Sequence, residues 1–158
     1  MNRQSAVQFP GNQRIHVALG VSDLAASRKF YQTLLGADPT KERPGYVKFE
    51  PQDPSVNLTL NERSNVAPAN PGAAHFGIQV KSTDEVEQAI ARFHAAGLKT
   101  LVEENTACCY AVQDKVWATD PDGNRWEVFV VLEADVAQES NEAFACCETE
   151  SASAEQCC

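Results

Sequence analysis

Two short stretches of this chain resemble each other, and each carries a histidine at the same place. Ile15-His16-Val17-Ala18-Leu19-Gly20-Val21 and Ala74-His75-Phe76-Gly77-Ile78-Gln79-Val80 both alternate large apolar residues with small or polar ones. That is the period of a half-buried strand. Each His lies on the face opposite the bulky residues, beside Ala18 and Gly20 or Gly77 and Gln79, where small neighbours leave room for an imidazole. A second pair of segments aligns in the same way. Val56-Asn57-Leu58-Thr59-Leu60 matches Trp126-Glu127-Val128-Phe129-Val130. The four matched inward positions are therefore His16, Asn57, His75 and Glu127.

Two imidazoles and one carboxylate, with coordination positions left open, form the ligand pattern of non-haem Fe(II) oxygenases. A carboxylate at the fourth position would close one of those sites, but this chain has Asn57 there, a much weaker ligand. Taken singly, His16 and His75 read as ordinary strand residues, and Glu127 as an ion-pair partner of Arg125 or Lys115. Three ligand-type residues at repeat-equivalent positions favour a shared metal ion. His94 is different. It stands near a helix end, where an imidazole suits the dipole, and reads as a surface residue.

A second set of chemically able residues is the cysteines. All six fall into adjacent pairs: Cys108-Cys109, Cys146-Cys147 and Cys157-Cys158. Neighbouring cysteines make poor disulfide frameworks, and in a reducing compartment they suit metal or metalloid binding.

The elements that must position these residues repeat as well. Each His strand is followed by a helix. Ser22 or Asp23 can cap the first helix, which runs to about Leu35 and stops at Gly36. Its apolar stripe is Leu24, Tyr31 and Leu35, flanked by Phe30 and Leu34. Ser82 or Thr83 can cap the second, with Val86, Ile90 and Phe93 as its stripe and Gly97 at its end. Short strands follow. They are expected near Gly45–Glu50 and Val56–Asn61 in the first half, and near Thr100–Glu104, Tyr110–Thr119 and Arg125–Val131 in the second. Asp120-Pro121-Asp122-Gly123 is a turn signal before the last strand. The repeat of about 59 residues is too long, and its copies too few, for a solenoid. Two βαβββ modules forming a curved mixed sheet with a metal-binding cleft are expected, an α+β fold.

Length and charge bound the rest. The 158 residues suffice for one domain with its own core. The formal charge of −9 is concentrated at the end of the chain. From Glu133 onward the acids are Glu133, Asp135, Glu139, Glu142, Glu148, Glu150 and Glu155, with no Lys or Arg. The expected organisation is a polar extension at 1–13, a domain at 14–132 with modules at about 14–61 and 74–132, and an acidic, cysteine-rich, disordered tail at 133–158. No basic stripe suggests nucleic acid, no apolar run is long enough for a bilayer, and the start lacks the apolar core of a signal peptide. The cytoplasm is the expected compartment.

At this point the sequence resembles the glyoxalase, bleomycin-resistance and extradiol-dioxygenase superfamily, the vicinal oxygen chelate proteins. The resemblance covers about Arg14–Leu132 and rests on Ile15-His16-Val17, the segment Leu24–Gly36, Ala74-His75-Phe76-Gly77 and the run Asp120–Glu127. It implies that His16, His75 and Glu127 are the metal ligands. Glyoxalase I usually has a glutamate where this chain has Asn57, so the resemblance does not extend to glyoxalase chemistry.

A narrower resemblance, on Asn105–Ala111, the Lys115-Val116-Trp117 strand and the cysteine-paired tail, is to the ArsI carbon–arsenic lyases and the cadmium-induced CadI proteins. It implies cleavage of trivalent organoarsenicals such as methylarsonous acid with Fe(II) and O2, and arsenic bound by Cys108 and Cys109. The chemistry is consistent with that. A trivalent monoorganoarsenical has two exchangeable oxygens, which two soft thiolates can replace, while imidazole and carboxylate suit Fe(II). Adjacent strand residues point to opposite faces, so the pair is expected on a loop or bend. Two other readings remain: a non-catalytic arsenic- or cadmium-binding protein, and an extradiol dioxygenase, which gives Cys108-Cys109 no role. The superfamily pairs its modules within or between chains, so a monomer and a homodimer are both compatible.

Overall fold

The structure, a computed structural model, describes residues 7, 9–11, 13–64, 75–108 and 111–134. The expected tail beyond Ala134, most of the N-terminal extension, and Cys109 and the four tail cysteines lie outside the described residues. The chain divides into two compact units. The first comprises the described residues of Met1–Pro68 with Asp120–Gly123, and the second those of Ala69–Thr119 with Asn124–Cys158.

The first unit runs β1 (Ile15–Val21), α1 (Leu24–Leu35), β2 (Lys41–Arg43), β3 (Tyr46–Phe49) and β4 (Val56–Glu62). The second runs β5 (Phe76–Gln79), α2 (Thr83–Ala95), β6 (Thr100–Cys108), β7 (Ala111–Thr119) and β8 (Arg125–Glu133). Strand order is β1-β4-β3-β2 in one sheet and β5-β8-β7-β6 in the other. In each the His-side strand is parallel to its neighbour and the remaining pairs are antiparallel. The expected α+β fold with repeated βαβββ modules is therefore realised as two mixed four-stranded sheets. Among the described residues no helix is long and apolar enough to cross a membrane.

Local chemistry explains the helices. Asp23 caps α1 by accepting a hydrogen bond from the Ala26 amide at 2.9 Å, and Gly36 ends it in the left-handed region at φ 60°. Its buried positions are Ser27, Phe30, Tyr31, Leu34 and Leu35. That is an i, i+3, i+4, i+7, i+8 stripe. The stripe begins at Ser27 and not at Leu24, which is only half-buried. Ser82 caps α2, and the Glu85 carboxylate accepts from the Lys81 amide and the Ser82 hydroxyl at 2.9 and 3.0 Å. This reciprocal arrangement is a capping box. The buried stripe of α2 is Val86, Ala89 and Phe93, with Ile90 at its margin.

Register sorts each sheet into two faces. In the first, Leu58, Leu60, Val47 and Phe49 are buried and share one face, since Val47 pairs with Leu60 and Phe49 with Leu58. His16 pairs with Asn57 and Ala18 with Thr59 on the other. In the second, Val116 pairs with Val128 and Ala118 with Trp126 on the buried apolar face, leaving Lys115, Trp117 and Glu127 on the opposite one.

Three strands differ from expectation, the first being β5, which spans only Phe76–Gln79, so that His75 stands just before it and not within it. β2 is a charged triplet, Lys41-Glu42-Arg43, with no alternation of its own; it exists because it pairs with β3. β6 continues to Cys108 instead of stopping at Glu104. A register shift between Glu103 and Thr106 accommodates Asn105 at φ 50°, and the Asn105 amide donates to Asp114 Oδ1 at 2.7 Å. Such a bulge lets a strand resume beyond a polar interruption.

One polar cluster makes a pH prediction. Burial alone would raise the Glu50 carboxyl. Hydrogen bonds from Lys48, Arg14 and Thr40, with the Lys48 charge, outweigh this and hold it at about 2 against an ordinary 4.5. The contacts are 2.9 Å to Lys48, 2.5 Å to Arg14 and 2.9 Å to Thr40. Because the folded value is depressed, the unfolded chain takes up the proton first as pH falls. The stabilisation is complete above about pH 4.5 and is lost as pH drops toward 2. Its full size is on the order of 2–3 kcal/mol. The difference in melting temperature between the native chain and Glu50→Gln should be constant above pH 5 and shrink below about 4.5.

Candidate metal centre

Glu127 lies in β8 directly opposite Gly77 of β5. A side chain at position 77 would put its Cβ 3.1 Å from Glu127 Cγ and Oε1 and 3.1 Å from a Phe129 ring carbon. Glycine in a strand marks such a close approach. The space it leaves lets the Glu127 carboxylate lie over the neighbouring strand, toward His75 at the head of β5. The Oε1 atom is 3.3 Å from His75 Nε2. The Glu127 side chain is only 8% exposed, whereas that of His75 is 37% exposed.

This geometry fits a metal ion. Two ligand atoms each about 2.1 Å from one metal, at right angles to it, stand about 3 Å apart. A neutral imidazole can meet that oxygen as an N–H donor, and the same two atoms can instead turn their lone pairs to one metal ion. The His75 ring packs edge-on against Trp117, with centroids 4.9 Å apart, which limits its rotation.

The other carboxylate oxygen has a different partner. Lys115 Nζ is 3.2 Å from Glu127 Oε2, and its side chain is 2% exposed. That ammonium also lies 5.4 Å from the Trp117 ring centroid, and the Arg125 guanidinium covers the ring at 4.3 Å. Trp117 itself donates from Nε1 to Glu103 Oε2 at 3.1 Å. The sequence reading offered Lys115 as a partner for Glu127 only in place of a metal. In the structure each carboxylate oxygen has its own neighbour, Oε1 the His75 imidazole and Oε2 the Lys115 ammonium, although Oε2 accepts no hydrogen bond among the described residues. Lys115 and Trp117 were legible as site neighbours from alternation along β7, which puts them on one face.

His16 belongs to the first unit. Its Nδ1 is 2.9 Å from the Asn57 carbonyl oxygen. Donation to that carbonyl places the proton on Nδ1 and leaves the Nε2 lone pair available as a ligand. The Asn57 side-chain oxygen is buried and has no hydrogen-bond partner among the described residues. Among the described residues, no three His, Cys, Asp or Glu side chains stand together as a metal-holding cluster. The structure thus brings His75 and Glu127 together in the second unit, and His16 belongs to the first. His94 is exposed, with Nε2 3.0 Å from Thr100 Oγ1, as expected for a surface residue. Cys108 closes β6 and pairs with Ala111, the first residue of β7, so it ends a strand instead of lying in the loop expected for it.

The glycine gives a test of this packing. Gly77→Val should destabilise the fold by about 1–3 kcal/mol. It should also weaken metal binding, because Glu127 or Phe129 must give way. Denaturant midpoints and metal titration report the two effects; unchanged metal affinity would show that the close approach at Gly77 does not set the carboxylate.

Comparison with known proteins agrees with this architecture. A family model for the Glyoxalase/Bleomycin resistance protein/Dioxygenase superfamily matches residues 13–128. A Bacillus sp. (strain MD1) protein named trivalent organoarsenical cleaving enzyme is 45% identical over 85% of this chain and 83% of its own length. The cadmium-induced protein CadI of Mycobacterium bovis is 46% identical, covering 75% of this chain and 76% of that one. Among solved structures, a glyoxalase/bleomycin resistance protein/dioxygenase from Alicyclobacillus acidocaldarius superposes with a TM-score of 0.63, covering 77% of this chain and 93% of that chain at 16% identity. With the repeated βαβββ sheets and the match over most of its length, the chain belongs to the glyoxalase/bleomycin resistance protein/dioxygenase superfamily, in the family that its organoarsenical-cleaving and cadmium-induced relatives form.

Proposed function

We propose that this protein cleaves the carbon–arsenic bond of trivalent organoarsenicals such as methylarsonous acid, releasing arsenite, with Fe(II) as cofactor and O2 as co-substrate. The observation that carries this reading is the facing pair His75 Nε2 and Glu127 Oε1, in a chain whose relatives include proteins named for that reaction. His16, His75 and Glu127 are the proposed ligands. When bound, the ferrous ion supplies open positions for activating O2 beside the substrate.

The chain's own residues do the positioning. Glu127 is held by its neighbours with one oxygen toward His75 and the other toward Lys115. Trp117, 3% exposed, packs against His75 and is anchored through Glu103. Cys108 and Cys109 are the proposed arsenic ligands. Their two thiolates replace the two exchangeable oxygens of the substrate and leave its carbon substituent in place. Such thiols must stay reduced, which favours the cytoplasm. The chain is proposed to act as a monomer or homodimer.

The test is incubation of the Fe(II)-loaded protein with methylarsonous acid and O2, with arsenite measured over time. Arsenite release that depends on both Fe(II) and O2 supports the reading. Tight arsenic binding without release would favour a second one, a non-catalytic arsenic- or cadmium-binding protein.

A further inference from the structure

A lysine buried beside a carboxylate that is meant to bind a cation requires explanation. Lys115 is 2% exposed, and its ammonium is ion-paired to Glu127 Oε2 at 3.2 Å. A fixed positive charge so near a metal ligand opposes metal binding, because the ammonium and the metal repel each other. Desolvating a lysine is itself costly unless it is paired. The pair therefore serves something other than affinity. Geometry shows what that is. Glu127 has two oxygens, and a free carboxylate can offer both to one metal. Here Oε1 is 3.3 Å from His75 Nε2, and Oε2, which accepts no hydrogen bond among the described residues, is 3.2 Å from the Lys115 ammonium. Lys115 is itself kept in place by the Trp117 ring, which Arg125 covers from its own position at 4.3 Å.

We infer that Lys115 is a positioning residue that restricts Glu127 to one-oxygen ligation, keeping a coordination position open at the expense of metal affinity. The inference rests on the proposed role of His75 and Glu127 as ligands. It assigns to Lys115 a function in the same site that differs from simple structural pairing. A structural partner, once removed, would leave a weaker metal site. A restricting partner, once removed, leaves a carboxylate free to grip the metal with both oxygens and relieved of a repelling charge.

The experiment uses the full chain and Co(II), a redox-stable substitute for Fe(II). Co(II) affinity and metal-induced thermal shift are measured for the native chain, Lys115→Met and Lys115→Arg. Without metal, Lys115→Met should melt lower than the native chain, because the buried Glu127 carboxylate loses its lysine counter-charge. With Co(II) it should gain more than the native chain gains, and its affinity should rise by about tenfold, the scale on which one nearby charge moves a binding equilibrium. X-ray absorption should show one more oxygen around cobalt. Lys115→Arg, which restores a charge opposite Oε2, should return affinity toward the native value.

A Lys115→Met affinity equal to or below the native one, with unchanged coordination, overturns the inference while leaving the metal site intact. No thermal shift in the native chain means that the ligand assignment itself is wrong. If Lys115→Met cannot be isolated without metal, its recovery on expression with Co(II) supports the inference. Failure to recover, while the doubly neutral Lys115→Met/Glu127→Gln chain folds, overturns it.

Discussion

His75→Ala, His16→Ala and Glu127→Gln are each expected to reduce arsenite release to background, a loss of at least about a thousandfold. With one ligand gone the remaining two leave the metal mobile, and a mobile metal cannot hold oxygen and substrate in a productive geometry. The choice of substitution follows from the structure. His16 is exposed and the His75 side chain is 37% exposed, so truncation to Ala should leave the fold unchanged by circular dichroism. Glu127 is 8% exposed and faces the buried Lys115. Truncating it to Ala would strand that ammonium in the interior, and removing one partner of a buried pair costs about 3–5 kcal/mol. Glutamine keeps the shape and a hydrogen-bonding oxygen, so Glu127→Gln separates loss of the ligand from loss of the fold. Full turnover in His75→Ala, with native metal content, would exclude it from the site.

Cys108→Ser and Cys109→Ser should each cost nearly as much activity as the double substitution. One thiolate can hold arsenic, but exchange is then fast and the carbon substituent swings freely. Two thiolates fix the arsenic, and that fixes the direction of the carbon–arsenic bond relative to the metal. Residues that work as one unit lose their effect together, so the single and double losses should not add. Iron content should stay native in all three variants, because the proposed metal ligands are untouched. The measurement is arsenite release at matched iron loading. Single variants that retain most of the activity would show that the two thiols do not act as a chelate. Loss of iron in all three would move the cysteines into the metal site. The end of β6 at Cys108, paired with Ala111, gives the first thiol a backbone anchored in the sheet.

Much of the architecture could be read from the chain alone. Strand and helix periods, the caps at Asp23 and Ser82 and the stop at Gly36 are local properties, set by backbone hydrogen bonding within a few residues. The repeat was legible for a related reason. Copies of one module keep the same inward face, so His75 and Glu127 could be named together, but the match of Asn57 with Glu127 is off by two: His16 pairs with Asn57 and Ala18 with Thr59, so Thr59 stands at the place of Glu127. The structure pairs Glu127 directly with Gly77, two residues beyond His75.

What the sequence left open depended on partners distant along the chain. Lys41-Glu42-Arg43 has no strand pattern of its own and becomes β2 only through pairing with β3. The polar run ending in Asn105 resembles a strand end until Asp114 accepts its amide, after which β6 continues to Cys108. Asp120 and Asp122 read as turn residues. The folded first unit also uses them as acceptors, from the Tyr31 hydroxyl at 2.6 Å and the Ser22 amide at 3.0 Å. Most of all, a lysine in sequence is by default a solvated charge. That Lys115 is buried, 3.2 Å from one oxygen of Glu127, was decided by the register of β7 on β8 and the packing of Trp117. Burial depends on what the rest of the chain excludes from water, and that is a property of the assembled sheet.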